Sequence, residues 1–151
     1  MADTQSIKEL RDRTGISVSE CKKALDAAGG DMEKALGLLK EKSAEAAGKK
    51  SDRELGAGIV NAYIHGAGSI GVLVELACET DFVSKHEDFK AMAADIAMHI
   101  AAMNPVDLAE LLGQEFIKDP SITVEACVQQ GTQKFGERIV LSRFVRFEIG
   151  A

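Results

Sequence analysis

Ile59-Val60-Asn61-Ala62-Tyr63-Ile64-His65-Gly66-Ala67-Gly68-Ser69-Ile70-Gly71-Val72-Leu73-Val74-Glu75-Leu76-Ala77-Cys78 reads as two strands around a turn. β-Branched and aromatic residues, whose stiff side chains suit a pleated surface, crowd both arms. Gly66 and Gly68 reach turn conformations at no steric cost. In the second arm Ile70, Val72, Val74, Leu76 and Cys78 alternate onto one face. The period then changes. Phe89, Met92, Ala93, Ile96, Ile100 and Met103 form one stripe at helical spacing, predicting a helix over residues 86–103. Pro105 opens a short helix around 106–112, and Thr123 caps another over 124–135 that closes near Gly136. Ile139, Leu141, Val145, Phe147 and Ile149 alternate in a third strand over 138–149. Strands and helices of this kind, packed antiparallel, predict an α+β unit over residues 58–151.

Upstream, residues 1–42 read as a three-helix head. Ile7 and Leu10 lie on a first helix that stops at Thr14-Gly15. Ser17 and Glu20 fit a capping box, in which each side chain takes a backbone N–H of the first turn. Cys21, Ala24, Leu25 and Ala28 share one face of the helix that follows, and Gly29-Gly30 end it. Asp31 caps a third helix with the stripe Met32, Ala35, Leu36 and Leu39. Helices this short are unstable alone, so the three stripes must meet. Residues 43–57 carry no lasting apolar stripe and read as a linker, helical at most in its first part.

Eighteen basic residues against 24 acidic ones leave a net charge of −6. That sign disfavours nucleic acid, whose affinity rests on Lys and Arg meeting phosphates, and it disfavours anionic membrane surfaces. Cys21, Cys78 and Cys127 are odd in number and far apart, so neither a disulfide framework nor a zinc site is expected. Met1-Ala2-Asp3-Thr4 begins no signal peptide, and no stretch approaches the roughly 18–20 apolar residues of a membrane helix. A reducing cytoplasm, either a protein partner or a small molecule as ligand, and no cofactor are the expectations.

Gly66-Ala67-Gly68-Ser69-Ile70-Gly71 matches G-x-G-x-x-G in form, but a dinucleotide site needs a helix after it and here a strand follows. No P-loop pattern occurs. Cys78, His65 and Asp81 compose a conceivable thiol nucleophile, base and orienting acid, although a cysteine on the apolar face of a strand is expected to be inert. Cys78-Glu79-Thr80-Asp81-Phe82-Val83 stands between strand and helix and should be a turn. Phe82 and Val83 either tuck into their own core or, for Phe82, project as an anchor with Asp81 beside it. The corner at Thr14-Gly15-Ile16-Ser17-Val18 is either an ordinary capped turn or a small apolar docking surface. The residues alone leave both questions open.

Taken together, these stretches resemble the elongation factor Ts family, in a short form. The resemblance rests on Leu10-Arg11-Asp12-Arg13-Thr14-Gly15, Cys21-Lys22-Lys23-Ala24-Leu25 and Gly30-Asp31 in the head. It continues through Tyr63-Ile64-His65, Gly71-Val72-Leu73-Val74-Glu75, Cys78-Glu79-Thr80-Asp81-Phe82-Val83, Asp95-Ile96-Ala97-Met98-His99-Ile100-Ala101-Ala102 and Arg143-Phe144-Val145-Arg146-Phe147-Glu148. It implies a ubiquitin-associated-like (UBA-like) head and an exchange factor, with no covalent chemistry, that makes the GTPase elongation factor Tu release GDP. Carried over, Asp81 and Phe82 are a wedge near switch II and the Mg²⁺ site, Thr80 and Val83 frame it, and Arg11 and Val18 lie at the head's docking surface. Val18-Ser19 replaces two bulky apolar residues of many members. Longer members insert a large segment before the last strand, where this chain has only about residues 103–123, so a second core subdomain and a coiled-coil projection are not expected. Short members of the family act as homodimers, and a sheet with few strands and open edges suits pairing between copies. The competing reading is an adaptor whose head binds another protein.

Overall fold

Three carboxylate or hydroxyl caps set where the first helices begin. A computed structural model describes residues 1–151. Asp3 accepts the N–H groups of Gln5 and Ser6, both at 3.0 Å, and opens α1 (Thr4–Thr14). Gly15, in the left-handed region at φ 69°, closes it. Ser17 Oγ accepts the Glu20 N–H at 3.3 Å to open α2 (Val18–Ala27). Only half of the expected capping box forms, because the Glu20 carboxylate instead receives Lys23 Nζ and Lys42 Nζ, each at 3.0 Å. Two ammonium groups offer a carboxylate more than one further amide does. Asp31 caps α3 (Met32–Lys49) through the Lys34 N–H at 3.0 Å. Leu10, Ile16, Cys21, Ala24, Leu25, Ala35 and Leu39 meet as the core of this head.

α3 runs on to Lys49, through the first part of the segment read as linker, and that extension packs on the body. Ser43, with 1% of its surface exposed, donates its hydroxyl to the side-chain oxygen of Gln133. The segment forms no apolar stripe, yet Ser43 is buried and Ala46 and Ala47 are half-buried.

The body begins with β1 (Ala57–His65) and β2 (Ile70–Cys78), antiparallel from Ala57 opposite Cys78 to His65 opposite Ile70. Gly66 and Gly68, at φ 56° and 95°, turn the hairpin. After β2 come α4 (Asp81–Ser84), α5 (Glu87–Met103), α6 (Leu108–Gly113), β3 (Glu115–Phe116), β4 (Asp119–Thr123), α7 (Val124–Phe135) and β5 (Val140–Glu148). The sheet order is β1-β2-β5, all antiparallel, while β3 and β4 form a separate short pair. The α+β expectation holds. The short pair is new, since a two-residue strand and a strand carrying Pro120 show no alternation to read. The short helix begins at Leu108, two residues later than expected, because Asp107 is its cap.

β2 lies in the middle, so its inner residues Val72, Val74, Leu76 and Cys78 are covered by α5 residues including Phe89, Ala93, Ile96 and Ile100. The outer face carries Val60, Ile64, Leu73, Val145 and Phe147, all exposed.

His99 of α5 is fully buried against β3 and α6. Its Nδ1 accepts the Ile117 N–H at 3.1 Å, so Nε2 carries the proton and donates to Gln114 Oε1 at 2.9 Å. Burial lowers its pKa from the ordinary 6.5, against the opposing pull of Gln114. The neutral ring is thus the folded form. Its stabilisation is complete above about pH 6.5 and is lost as the pH falls from there toward the folded-state value, because the unfolded chain takes up a proton first. Urea unfolding should therefore show stability falling as the pH drops below about 6.5, with a smaller fall in a His99→Gln variant.

Candidate protein-docking site

Beyond Cys78 the ladder to β1 ends and the chain turns tightly. Thr80 is extended (φ −131°, ψ 155°) and α4 follows, closed by the Ser84 N–H on the Thr80 carbonyl at 3.2 Å and the Lys85 N–H on the Asp81 carbonyl at 3.0 Å. A helical turn sends successive side chains about 100° apart. Val83 and Ser84 point inward, each 4% exposed, while Phe82 points outward at 84% exposure with exposed Asp81 beside it. The open choice between tucked and projecting side chains is thus divided between two neighbours. Val83 joins the body core and holds the turn from beneath, so it offers a partner no surface.

The turn is anchored from three directions. Cys78 Sγ donates to the Thr80 carbonyl at 3.3 Å. The Glu137 carboxylate, after α7, accepts the Glu79 and Thr80 N–H groups at 3.0 Å each and the Thr80 hydroxyl at 2.6 Å. This is why Thr80, an N-cap residue by type and position, makes no side-chain cap. The Glu79 carboxylate reaches back to the Arg138 N–H at 2.5 Å and faces the Arg53 guanidinium at 3.5 Å. None of Glu79, Glu137, Arg138 or Arg53 was legible as part of this site. Partners 57 to 59 residues apart leave no spacing signal.

At the head, Thr14 Oγ1 donates to the Leu10 carbonyl at 2.8 Å and accepts the Ile16 N–H at 3.2 Å, which stiffens the corner. Ile16 is buried, Arg11 is exposed, and Val18 is half-exposed at 51%. A Cβ built on Gly15 would lie 3.0 Å from Cδ and Nζ of Lys134, so the corner rests against the last turn of α7. Lys134 also pairs with Asp88 at 3.0 Å and holds that carboxyl below its ordinary range, while His86 meets the edge of the Phe135 ring. Both candidate surfaces therefore border the same helix end.

Other chemistry fits poorly. His65 sits at the far end of β1, eight residues from the partner of Cys78, which is roughly 26 Å along a strand. It bonds Tyr63 Oη through Nδ1 at 2.9 Å. The Cys78 thiol is buried, and burial raises its pKa, with Glu137 and Asp81 adding to the rise. Burial, with Asp95 and Asp119, pushes Cys127 up to about 12. The cleft between α1, α5 and α7 already pairs Lys134 with Asp88 and Lys118 with Asp95. No three His, Cys, Asp or Glu side chains are grouped to hold a metal ion, and no helix is long and apolar enough to cross a membrane. In the folded protein at neutral pH, Cys78 should resist iodoacetamide, and mass spectrometry should find it alkylated only after unfolding. Rapid labelling of the native chain would restore the thiol reading.

A family model described as elongation factor TS matches residues 48–110, a span that contains the hairpin, the Phe82 turn and α5. Among similar proteins, the elongation factor Ts of Carboxydothermus hydrogenoformans is 42% identical over 99% of this chain and 90% of its own length. That of Heliobacterium modesticaldum is 42% identical over 99% and 91%, and that of Thermoanaerobacter pseudethanolicus 40% identical over 99% and 96%. These alignments run over 195 positions against the 151 residues here, so each relative carries at least 44 positions without a counterpart in this chain.

Proposed function

The chain belongs to the elongation factor Ts family, a family of translation elongation factors, and from that premise we propose that it catalyses nucleotide exchange on elongation factor Tu without covalent chemistry. The observation that carries the reading is Phe82, held 84% exposed on a braced turn inside the span that matches the family. A ring carried on a backbone turn that is already braced costs little backbone entropy when a pocket receives it. Phe82 enters the GTPase near switch II, and Asp81 brings a carboxylate toward the polar network around Mg²⁺. Repulsion there weakens the hold on the metal and leaves the GDP phosphates less compensated.

Thermodynamic linkage supplies the rest. A factor that binds the nucleotide-free GTPase more tightly than the GDP form weakens GDP by the same ratio. The UBA-like head docks through Arg11 and Val18, bringing the wedge into range. The single valine where many members carry two bulky residues makes this contact smaller. Three unbridged cysteines agree with action in the cytoplasm.

The outer face of the sheet supports a second reading at the level of assembly. Val60, Ile64, Leu73, Val145 and Phe147 form an exposed apolar patch on one side of three strands, bordered on the same face by the Glu75–Arg143 ion pair at 2.9 Å. We propose that a second copy covers it, face against face rather than along the open edges, because a surface of this kind is self-complementary about a two-fold axis.

Release of a fluorescent GDP analogue from elongation factor Tu tests the exchange reading. Wild-type protein should accelerate release. Phe82→Ala should lose about 2 kcal/mol of exchange efficiency, about 30-fold, with unchanged thermal stability. Equal acceleration by both would remove Phe82 from the mechanism. Size-exclusion chromatography with light scattering should find a dimer that Leu73→Glu combined with Phe147→Glu turns into a folded monomer. A wild-type monomer at all concentrations would remove the dimer.

A further inference from the structure

The hydrogen-bond ladder of β2 ends at Cys78, and the next two amides, Glu79 and Thr80, lie just before the projecting Phe82. One carboxylate receives both of them. Glu137 takes the two N–H groups at 3.0 Å and the Thr80 hydroxyl at 2.6 Å, three bonds to one charged group. Charge-assisted bonds of this kind are about twice as strong as neutral ones and fix direction as well as distance. The Glu79 carboxylate returns the contact on the Arg138 N–H at 2.5 Å, and Arg138 Nη1 donates to the Arg53 carbonyl at 2.8 Å. The turn is braced in both directions across a gap in sequence.

We infer that Glu137 is a positioning residue for exchange, one that sets the direction in which Phe82 leaves the protein without itself touching the partner. The inference rests on the reading of Phe82 as the wedge. Its physical basis is a competition at Thr80. Threonine at the N-terminus of a helical turn ordinarily caps that turn with its own hydroxyl. Here the hydroxyl is drawn to Glu137, and α4 starts without a side-chain cap. Without the carboxylate, the hydroxyl is free to swing back onto the amides of α4, and the two upstream N–H groups turn to water. Thr80 is exposed, so solvent can replace the lost bonds and the fold survives. What is lost is the orientation of the turn, and small misplacements of a wedge weigh heavily on the step it promotes.

The test combines GDP release with amide hydrogen exchange on the full-length protein. Glu137→Ala should lower exchange efficiency about tenfold. Glu137→Gln should recover most of it, because the amide oxygen still accepts the two N–H groups. Thr80→Val, which removes only the hydroxyl bond, should fall between them. Adding Phe82→Ala to Glu137→Ala should cost no more than Phe82→Ala alone, since one residue acts through the other. Hydrogen exchange at the Glu79 and Thr80 amides should quicken in Glu137→Ala while the Val72 and Val74 amides stay protected. Full exchange activity in Glu137→Ala with unprotected Thr80 overturns the inference and leaves the wedge in place, as do losses that multiply in the double variant. If wild-type protein fails to accelerate GDP release, the exchange reading itself falls and this inference with it. If Glu137→Ala does not fold, the Gln and Thr80→Val variants decide: activity unchanged in both overturns the inference.

Discussion

The carboxylate of Glu137 is the interaction on which the candidate docking surface depends. It stands one residue after Gly136, whose left-handed conformation at φ 72° ends α7 and throws the chain toward β5. Within five positions of that reversal, Lys134 supports the head corner at Gly15 and pairs with Asp88, Phe135 packs on His86 and Phe89, and Glu137 and Arg138 brace the Glu79-Thr80 segment. These contacts are not equal. The Lys134–Asp88 pair is partly exposed and belongs to a class that contributes about 0–1 kcal/mol. Hydrogen bonds to a charged group contribute about 1.5–3 kcal/mol, and Glu137 makes three of them. The brace on the Phe82 turn is the stronger link.

A single helical turn resolves a conflict in residues 82 and 83. The step of about 100° per residue turns Phe82 to the solvent side and leaves Val83 and Ser84 on the core side. Val83 gains burial with the body core, while Phe82 remains in water. One exposed aromatic ring is a tolerable cost in a fold whose central strand is buried on its inner face. The same division between buried and waiting apolar surface recurs on a larger scale across β1, β2 and β5. The inner face of β2 is covered by α5, while the outer face leaves Val60, Ile64, Leu73, Val145 and Phe147 open to solvent.

The body also replaces length with economy. Relatives carry at least 44 positions that this chain lacks. Between α5 and α7 it has only α6 and the β3–β4 pair, tied to α5 by buried His99 through Gln114 and the Ile117 amide. A neutral imidazole that accepts on one side and donates on the other satisfies two buried polar partners at once. The cost is a sensitivity to acid that an apolar residue at 99 would not bring.

Local pattern was enough to read the hairpin, α5, α7, the closing strand and the three-helix head, because each announces itself within a dozen residues by period, cap or glycine. Phe82 and Asp81 were legible as candidates for the same reason, since the turn that carries them lies between a strand and a helix of opposite period. Three kinds of feature were not legible. The β3–β4 pair is too short to show alternation, and the extension of α3, allowed as helical by the sequence, carries no apolar stripe to announce its packing on α7. Glu20 abandoned its capping role for two lysines, one of them 22 residues away. The direction of Phe82, the burial of Val83 and the grip of Glu137 on Thr80 depend on chain segments 57 or more residues apart meeting at the end of one helix. Sequence alone therefore determined the long, periodic elements and which residues could meet a partner. Tertiary structure decided which of them do face outward, because hydrogen bonds and burial between distant segments leave no periodicity in the chain.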